Sequence, residues 1–183
     1  MSDIYVVTGN ANKLAELQAI FPPELALKCA AIEIPEIQGE PHAIVEDKLA
    51  WAYETLGQPV IVEDVSVELD CLNGLPGPFI KHFEEKLGKT ALWELARHYD
   101  NRAATVRCTM GYFDGADKEI VDGAVRGTIV SPRGTRGWGF DFVFMPDGHD
   151  KTNAQMDVSQ KNQISHRASA ARALAAKLSS RVV

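Results

Sequence analysis

An apolar run leads straight into two carboxylates near the middle of the chain, Val60-Ile61-Val62-Glu63-Asp64, and a proline-bracketed loop follows at Leu75-Pro76-Gly77-Pro78-Phe79-Ile80-Lys81. The run reads as a buried strand. Adjacent acids at its end are costly unless they bind something, because an unpaired charge at the edge of a core loses its hydration. A hard divalent cation takes oxygen ligands and uses one or two carboxylates together with phosphate oxygens. Lys81, just beyond the Pro-Gly-Pro turn, is placed to meet such a phosphate, so the segment points to chemistry on a phosphate ester. Strand residues alternate between faces, so both acids serve one site only where the strand stops. The expectation is that one acid faces metal and water while the other supports the site or pairs with a lysine.

Strands and helices alternate on either side of this run. Ile4 to Val7 reads as a strand. A helix is expected over 12–21 with Leu14, Leu17 and Ile20/Phe21 on one face, stopped by Pro22-Pro23, and a second strand over 25–32. A loop over 35–40 has Glu33, Glu36 and Glu40 in or beside it. Pro41 suits the first turn of a helix that turns Ile44, Val45, Leu49, Ala52, Tyr53 and Leu56 inward and ends near Gly57. A return strand is expected at Val67-Glu68-Leu69, then helices over 79–87 and 90–99. Val106, Cys108, Met110 and Tyr112 alternate as in a half-buried strand. Asp114-Gly115-Ala116-Asp117 reads as a hairpin turn into a strand region over 118–130. An aromatic strand over 140–144 and an alanine-rich helix over 165–180 complete the chain. Early βα alternation followed by a hairpin predicts an α/β fold, one domain over 1–183 with a mixed sheet, and 183 residues suffice for a substantial core.

The formal net charge of −6 argues against wholesale attraction to nucleic acid or an anionic membrane. A small anionic substrate then needs a local basic pocket. Cys29, Cys71 and Cys108 are scattered, without a Cys-x-x-Cys pair, and read as reduced thiols with no metal or redox role. Met1-Ser2-Asp3 leads into Ile4 without the basic and apolar regions of a secretory signal. No apolar run approaches the roughly 20 residues that cross a bilayer, and Arg181-Val182-Val183 matches no organelle address. A cytoplasmic location is the expectation.

Three further segments carry candidate chemistry. In Val7-Thr8-Gly9-Asn10-Ala11-Asn12-Lys13 a strand ends, a glycine turns and a helix begins, which presents backbone N–H groups and Lys13 to an anion. An asparagine-capped helix with a solvated lysine would read the same way. In Gly137-Trp138-Gly139-Phe140-Asp141 glycines flank aromatics around an acid. That is a plain aromatic strand, or a pocket whose rings stack on a heterocycle while the carboxylate fixes its edge. In Lys161-Asn162-Gln163-Ile164-Ser165-His166-Arg167 a helix begins beside polar and cationic groups suited to anions and carbonyl oxygens.

In this order, the Thr-Gly-Asn-x-x-Lys, Glu-Asp, Leu-Pro-Gly-Pro-Phe-Ile-Lys, Gly/aromatic-Asp and Lys-Asn-x-x-Ser-His-Arg segments resemble the inosine triphosphate pyrophosphatase family, from Thr8 to Arg167. Gln38-Gly39-Glu40-Pro41 and Leu75-Pro76-Gly77-Pro78 look most like its eukaryotic branch. The resemblance implies an elongated mixed sheet with two lobes around a cleft, a homodimer, and hydrolysis of non-standard purine nucleoside triphosphates (ITP, dITP, XTP) to monophosphate and pyrophosphate. It implies Mg²⁺, with Mn²⁺ as a substitute, and no nucleic-acid or membrane partner. Thr8, Gly9, Asn10, Ala11, Asn12 and Lys13 would cradle phosphates. Glu36 and Asp64 would hold the metal, ahead of Glu63 and Glu40, and Asp64 would also activate water. Lys48, Lys81 and Lys161 would contact phosphates or order the cleft. Trp138, Gly139, Phe140 and Asp141 would hold the base with His166 and Arg167. Val65-Ser66 stands where the family usually has Thr/Ser-Gly, Phe142 stands where it has proline, and the order of Trp138 and Phe140 also differs. Two rival readings are a non-catalytic nucleotide-binding protein on the same scaffold and a phosphohydrolase for modified pyrimidine nucleotides.

Overall fold

The computed structural model describes residues 3–180. Met1, Ser2 and 181–183, on which the targeting readings rest, lie outside the described residues, as does the side chain of Asn12. Seven strands and six α-helices are described: β1 (Ile4–Val7), α1 (Ala11–Gln18), β2 (Leu27–Ala30), α2 (Pro41–Leu56), β3 (Val60–Leu69), β4 (Pro76–Gly77), α3 (Ile80–Leu87), α4 (Ala91–Ala96), β5 (Ala103–Phe113), β6 (Lys118–Ile129), β7 (Phe144–Pro146), α5 (Val158–Ile164) and α6 (His166–Ser179). The sheet runs β2-β1-β3-β5-β6-β7, with β4 paired to β3. It is mixed: β1 pairs in parallel with β2 and β3, whereas β3–β4 and β6–β7 are antiparallel. The expected α/β class and mixed sheet are therefore present.

The chain forms two compact units. The first takes residues 3–64, 108–123 and 167–180. Helix α2 supplies part of its core because Ile44, Val45, Leu49 and Ala52 fall on one face and are buried. Pro41 occupies its first turn, and Gly57 ends it by donating its N–H to the Tyr53 carbonyl at 2.8 Å. Val45, Leu49 and Ala52 pack with Val60 and Val62, and Tyr5, Val7 and Ile34 close over them. The second unit takes residues 65–107 and 124–166. Its core joins Val67, Leu69, Ile80, Leu92, Val106, Ile129, Val143 and Phe144, with Trp93 packed against them.

Several expectations are corrected. Strand β3 does not stop at the acids: it continues to Leu69, so Val67-Glu68-Leu69 is its second half rather than a return strand. Continuation is tolerated because both carboxylates find cationic partners. The segment over 140–144 is not a strand. Residues Gly139–Phe142 form a 3₁₀ turn, and β7 starts only at Phe144. Asp141 bends the segment by accepting the Trp138 N–H at 3.1 Å. Gly137 and Gly139 permit it by adopting φ of 83° and 58°. Helix α5 was not foreseen, although its N-cap Asp157 accepts the Gln160 N–H at 2.8 Å in a capping box readable as Asp-x-x-Gln. Within β5 the alternation gives way to continuous burial from Cys108 to Tyr112.

Candidate active site

Alternation along β3 sends Glu63 and Asp64 to opposite faces, and in the first unit each acid collects its own cations. Arg167 grips Glu63 with two prongs, Nε to Oε2 at 2.9 Å and Nη2 to Oε1 at 3.0 Å. Lys13 Nζ meets the same carboxylate at 2.9 Å. Burial alone would push the Glu63 carboxyl up, but the charges of Arg167 and Lys13 more than offset it and hold it well below the usual range. Arg167 also donates to Glu16 Oε2 at 2.7 Å. Burial disfavours its charge, yet Glu63 and Glu16 keep it firmly protonated. The thiol of Cys108 lies 3.5 Å from Glu63 Oε2, and burial, then the Glu63 charge, raise it well above its usual value.

The other acid is less well served. Lys48 Nζ reaches Asp64 Oδ1 at 2.8 Å, Glu36 Oε1 at 2.9 Å and the Glu63 carbonyl at 3.3 Å. Lys48 is buried on α2, with its ammonium between two carboxylates. Burial works against its charge, but Asp64 and Glu36 raise its pKa above the ordinary lysine value. Among the described residues, the buried Asp64 Oδ2 has no hydrogen-bond partner. Burial and the nearby Glu36 charge outweigh Lys48, so the Asp64 carboxyl titrates above its usual range. Among the described residues, no group of three or more His, Cys, Asp or Glu side chains is placed to hold a metal ion. Glu40 is exposed at the N-cap of α2 and makes no side-chain capping bond.

The turn from β1 into α1 is held by its own side chains. The Asn10 N–H donates to Thr8 Oγ1 at 3.0 Å, and Asn10 Oδ1 accepts the Lys13 N–H at 3.4 Å. This is the asparagine-capped helix, but its lysine is paired with Glu63. Gly9 and Ala11 are exposed. Gly9 has no positive φ, and among the described residues a Cβ there would meet nothing within 4 Å. Neither backbone nor packing requires a glycine at that place.

In the second unit Asp141 is 2% exposed and saturated. Its Oδ2 accepts from the Trp138 N–H and from Lys161 Nζ at 2.8 Å, and its Oδ1 accepts from Asn153 Nδ2 at 3.1 Å. Lys161 lies 4.1 Å from the Trp138 ring centroid, a cation–π contact. His166 is buried, with its ring tilted against Phe140 at 5.8 Å. Lys81 is exposed in the first turn of α3. Ser66 is buried and donates to Glu68, and Lys89 lies over the Phe142 ring, so Ser66 and Phe142, two of the positions that depart from the family pattern, make local contacts.

The structure thus joins Lys13, Glu63 and Arg167 in one cluster, Glu36, Lys48 and Asp64 in a second, and Trp138, Asp141 and Lys161 in a third. The donors of Arg167 seen here go to carboxylates. The sequence reading missed Glu16, Asn153 and Glu84. Glu16 sits three residues after Lys13 and so shares its helix face. Glu84 falls on the Ile80, Phe83, Leu87 stripe. Nothing local marks Asn153.

The Ham1 family profile matches residues 4–177. A protein named inosine triphosphate pyrophosphatase from Aspergillus oryzae is 39% identical over 90% of this chain and 87% of its own length. One of the same name from Batrachochytrium dendrobatidis is 41% identical over 91% and 89%. A HAM1 protein from Coxiella burnetii has the same fold, with a TM-score of 0.84 at 26% identity, covering 98% of this chain and all of its own. The chain belongs to the Ham1 family, as the five ordered segments anticipated.

Proposed function

We propose that this protein hydrolyses non-standard purine nucleoside triphosphates such as ITP, dITP and XTP between the α and β phosphates, releasing monophosphate and pyrophosphate. Relatives bearing the inosine triphosphate pyrophosphatase name support the substrate class. The observation that carries the reading is the asymmetry of the adjacent acids: Glu63 is fully compensated, while Asp64 keeps a buried oxygen without a hydrogen-bond partner among the described residues. A fully compensated acid is part of the frame. An under-compensated one is a group held for a ligand.

The residues fit Mg²⁺, or Mn²⁺ in its place. Asp64 Oδ2 awaits a partner, Glu36 brings a second hard oxygen to the same ammonium, and such ions complete their shells with water and substrate phosphate. When bound, the metal neutralises charge on the phosphate chain. The chain's own groups do the remainder. The exposed Gly9 turn and the N-terminus of α1 receive phosphate oxygens. Lys13, pinned by Glu63, and Lys48, pinned by Glu36 and Asp64, supply positive charge without having to be ordered on binding. Asp64, with its raised pKa, accepts a proton from the attacking water. In the second unit, Trp138 and Phe140 offer rings to the base, while Asp141, Lys161 and Asn153 fix the turn that carries them.

The test is a substrate panel with Mg²⁺ that assays pyrophosphate against orthophosphate. Pyrophosphate from ITP, abolished by EDTA, is expected. Orthophosphate alone would refute the assigned bond, and turnover untouched by EDTA would refute the metal. We also propose a homodimer, on the family resemblance, and a cytoplasmic location, on the sequence expectation; a monomer by light scattering at micromolar concentration would remove the dimer.

A further inference from the structure

Glu84, on α3, has no part in the reaction as set out above, yet its carboxyl lies against the segment assigned to the base. A Cβ built on Gly139 would fall 2.7 Å from Glu84 Oε2 and 3.3 Å from Oε1. The carboxyl therefore occupies the space that a side chain at 139 would need. Among the described residues, the buried Glu84 Oε1 has no hydrogen-bond partner. Its acidic neighbour Asp141 already accepts from Lys161, Asn153 and the Trp138 N–H. Asp141 thus has three donors, whereas Glu84 Oε1 has none among the described residues.

We propose that Glu84 is a positioning residue for the base-holding segment: its carboxyl group, seated on Gly139 and facing Asp141, sets how closely residues 138–141 pack onto α3 and so how tightly the base is held. The assignment of a base to this segment rests on the function proposed above; the placement of Glu84 does not. Burial, and then the Asp141 charge, raise the Glu84 carboxyl to about 7, and Lys89 opposes the shift. The charged groups facing it are thus Asp141 across from α3 and Lys89 just beyond the end of α3. Neutral Glu84 lets the turn rest on it. Ionised Glu84 meets the fixed charge of Asp141 and pushes the turn away.

Two measurements decide this. The first is intrinsic fluorescence of the wild-type protein between pH 5.5 and 8.5, with Trp138→Phe identifying the signal of Trp138 against Trp51 and Trp93. A Trp138 transition with a midpoint near 7, absent in Glu84→Gln, is expected; no transition, or one that persists in Glu84→Gln, overturns the proposal. The second is the ITP pH profile. KM is expected to rise across the same range, by about tenfold if substrate holds the Glu84 proton one pKa unit more tightly. Glu84→Gln should flatten KM and leave the kcat profile in place. Superimposable KM profiles, or a change confined to kcat, overturn it. If wild type turns over no nucleotide, the proposed function fails while the fluorescence titration still decides the role of Glu84.

Discussion

Asp64→Asn separates a functional carboxylate from a structural one. The substitution keeps shape and keeps an oxygen for Lys48 Nζ, which now sits 2.8 Å from Asp64 Oδ1. It removes the ability to take a proton and the negative charge that would hold a cation. Loss of a positioned general base costs roughly 10²- to 10⁴-fold in rate, or about 3–5 kcal/mol of barrier. The stability effect should run the other way. Burial and Glu36 raise the Asp64 pKa, so the folded protein binds this proton more tightly than the unfolded chain and ionised Asp64 lowers stability above its unfolded pKa. An amide at 64 escapes that penalty, and Lys48 keeps Glu36 at 2.9 Å. The expected variant folds with an unchanged or higher Tm and loses nearly all pyrophosphate release. Calorimetry and an ITP assay on one sample read both effects. Near-normal kcat, or a Tm fall of the size that breaking a buried ion pair produces, refutes the argument.

Arg167→Ala should cost about 3–5 kcal/mol of stability, because it leaves the buried Glu63 and Glu16 without the guanidinium between them. In folded material it should depress ITP and ATP turnover by similar factors. A shrinking ITP-to-ATP ratio would return Arg167 to the base edge that the sequence implied. Glu84→Gln should stabilise the protein by about 1–2 kcal/mol above neutrality, allowing for partial exposure. A carboxyl raised to about 7 from 4.5 contributes stability that is lost as pH rises between those values. The gap between variant and wild type should therefore open over that window and stay constant above it; a gap independent of pH across calorimetric scans would contradict the assignment.

The order of elements was legible because it rests on local signals. Pro41 and Gly57 bracket α2, and the alternation from Val106 to Tyr112 marks β5. What was not legible depends on distant partners. The strand through Glu63 and Asp64 looked as though it must stop. It continues because Arg167, 104 residues further on, and Lys48, on the preceding helix, neutralise the acids. The aromatic segment at 138–142 has strand composition, but Asp141 turns it once Asn153 and Lys161 hold that carboxylate, and neither distance can be read from spacing. The candidate site was legible as a set of residue types. Its division into compensated and under-compensated acids required the folded geometry.

Gly9 offers a substitution whose effects on fold and function part cleanly. A glycine is needed where φ is positive or where a neighbour leaves no room for Cβ. Gly139 meets both conditions, with φ of 58° and the Glu84 carboxyl against it, so Gly139→Ala disturbs the turn itself. Gly9 meets neither: its φ is not positive and, among the described residues, the space a Cβ would fill is open. Alanine there should be neutral or stabilise by about 0.4–1 kcal/mol through the unfolded chain. If the turn receives phosphate oxygens, that open space belongs to the substrate, and an added methyl group holds the anion off the N–H groups at the start of α1. Gly9→Ala is therefore expected to keep or raise Tm while raising KM for ITP by roughly tenfold or more, the price of about 1.4 kcal/mol of binding. The acid cluster is untouched, so kcat at saturation should fall less than kcat/KM. Unchanged KM in a variant of unchanged stability would show that the open space at Gly9 is ordinary solvent, and would take the phosphate cradle away from this turn.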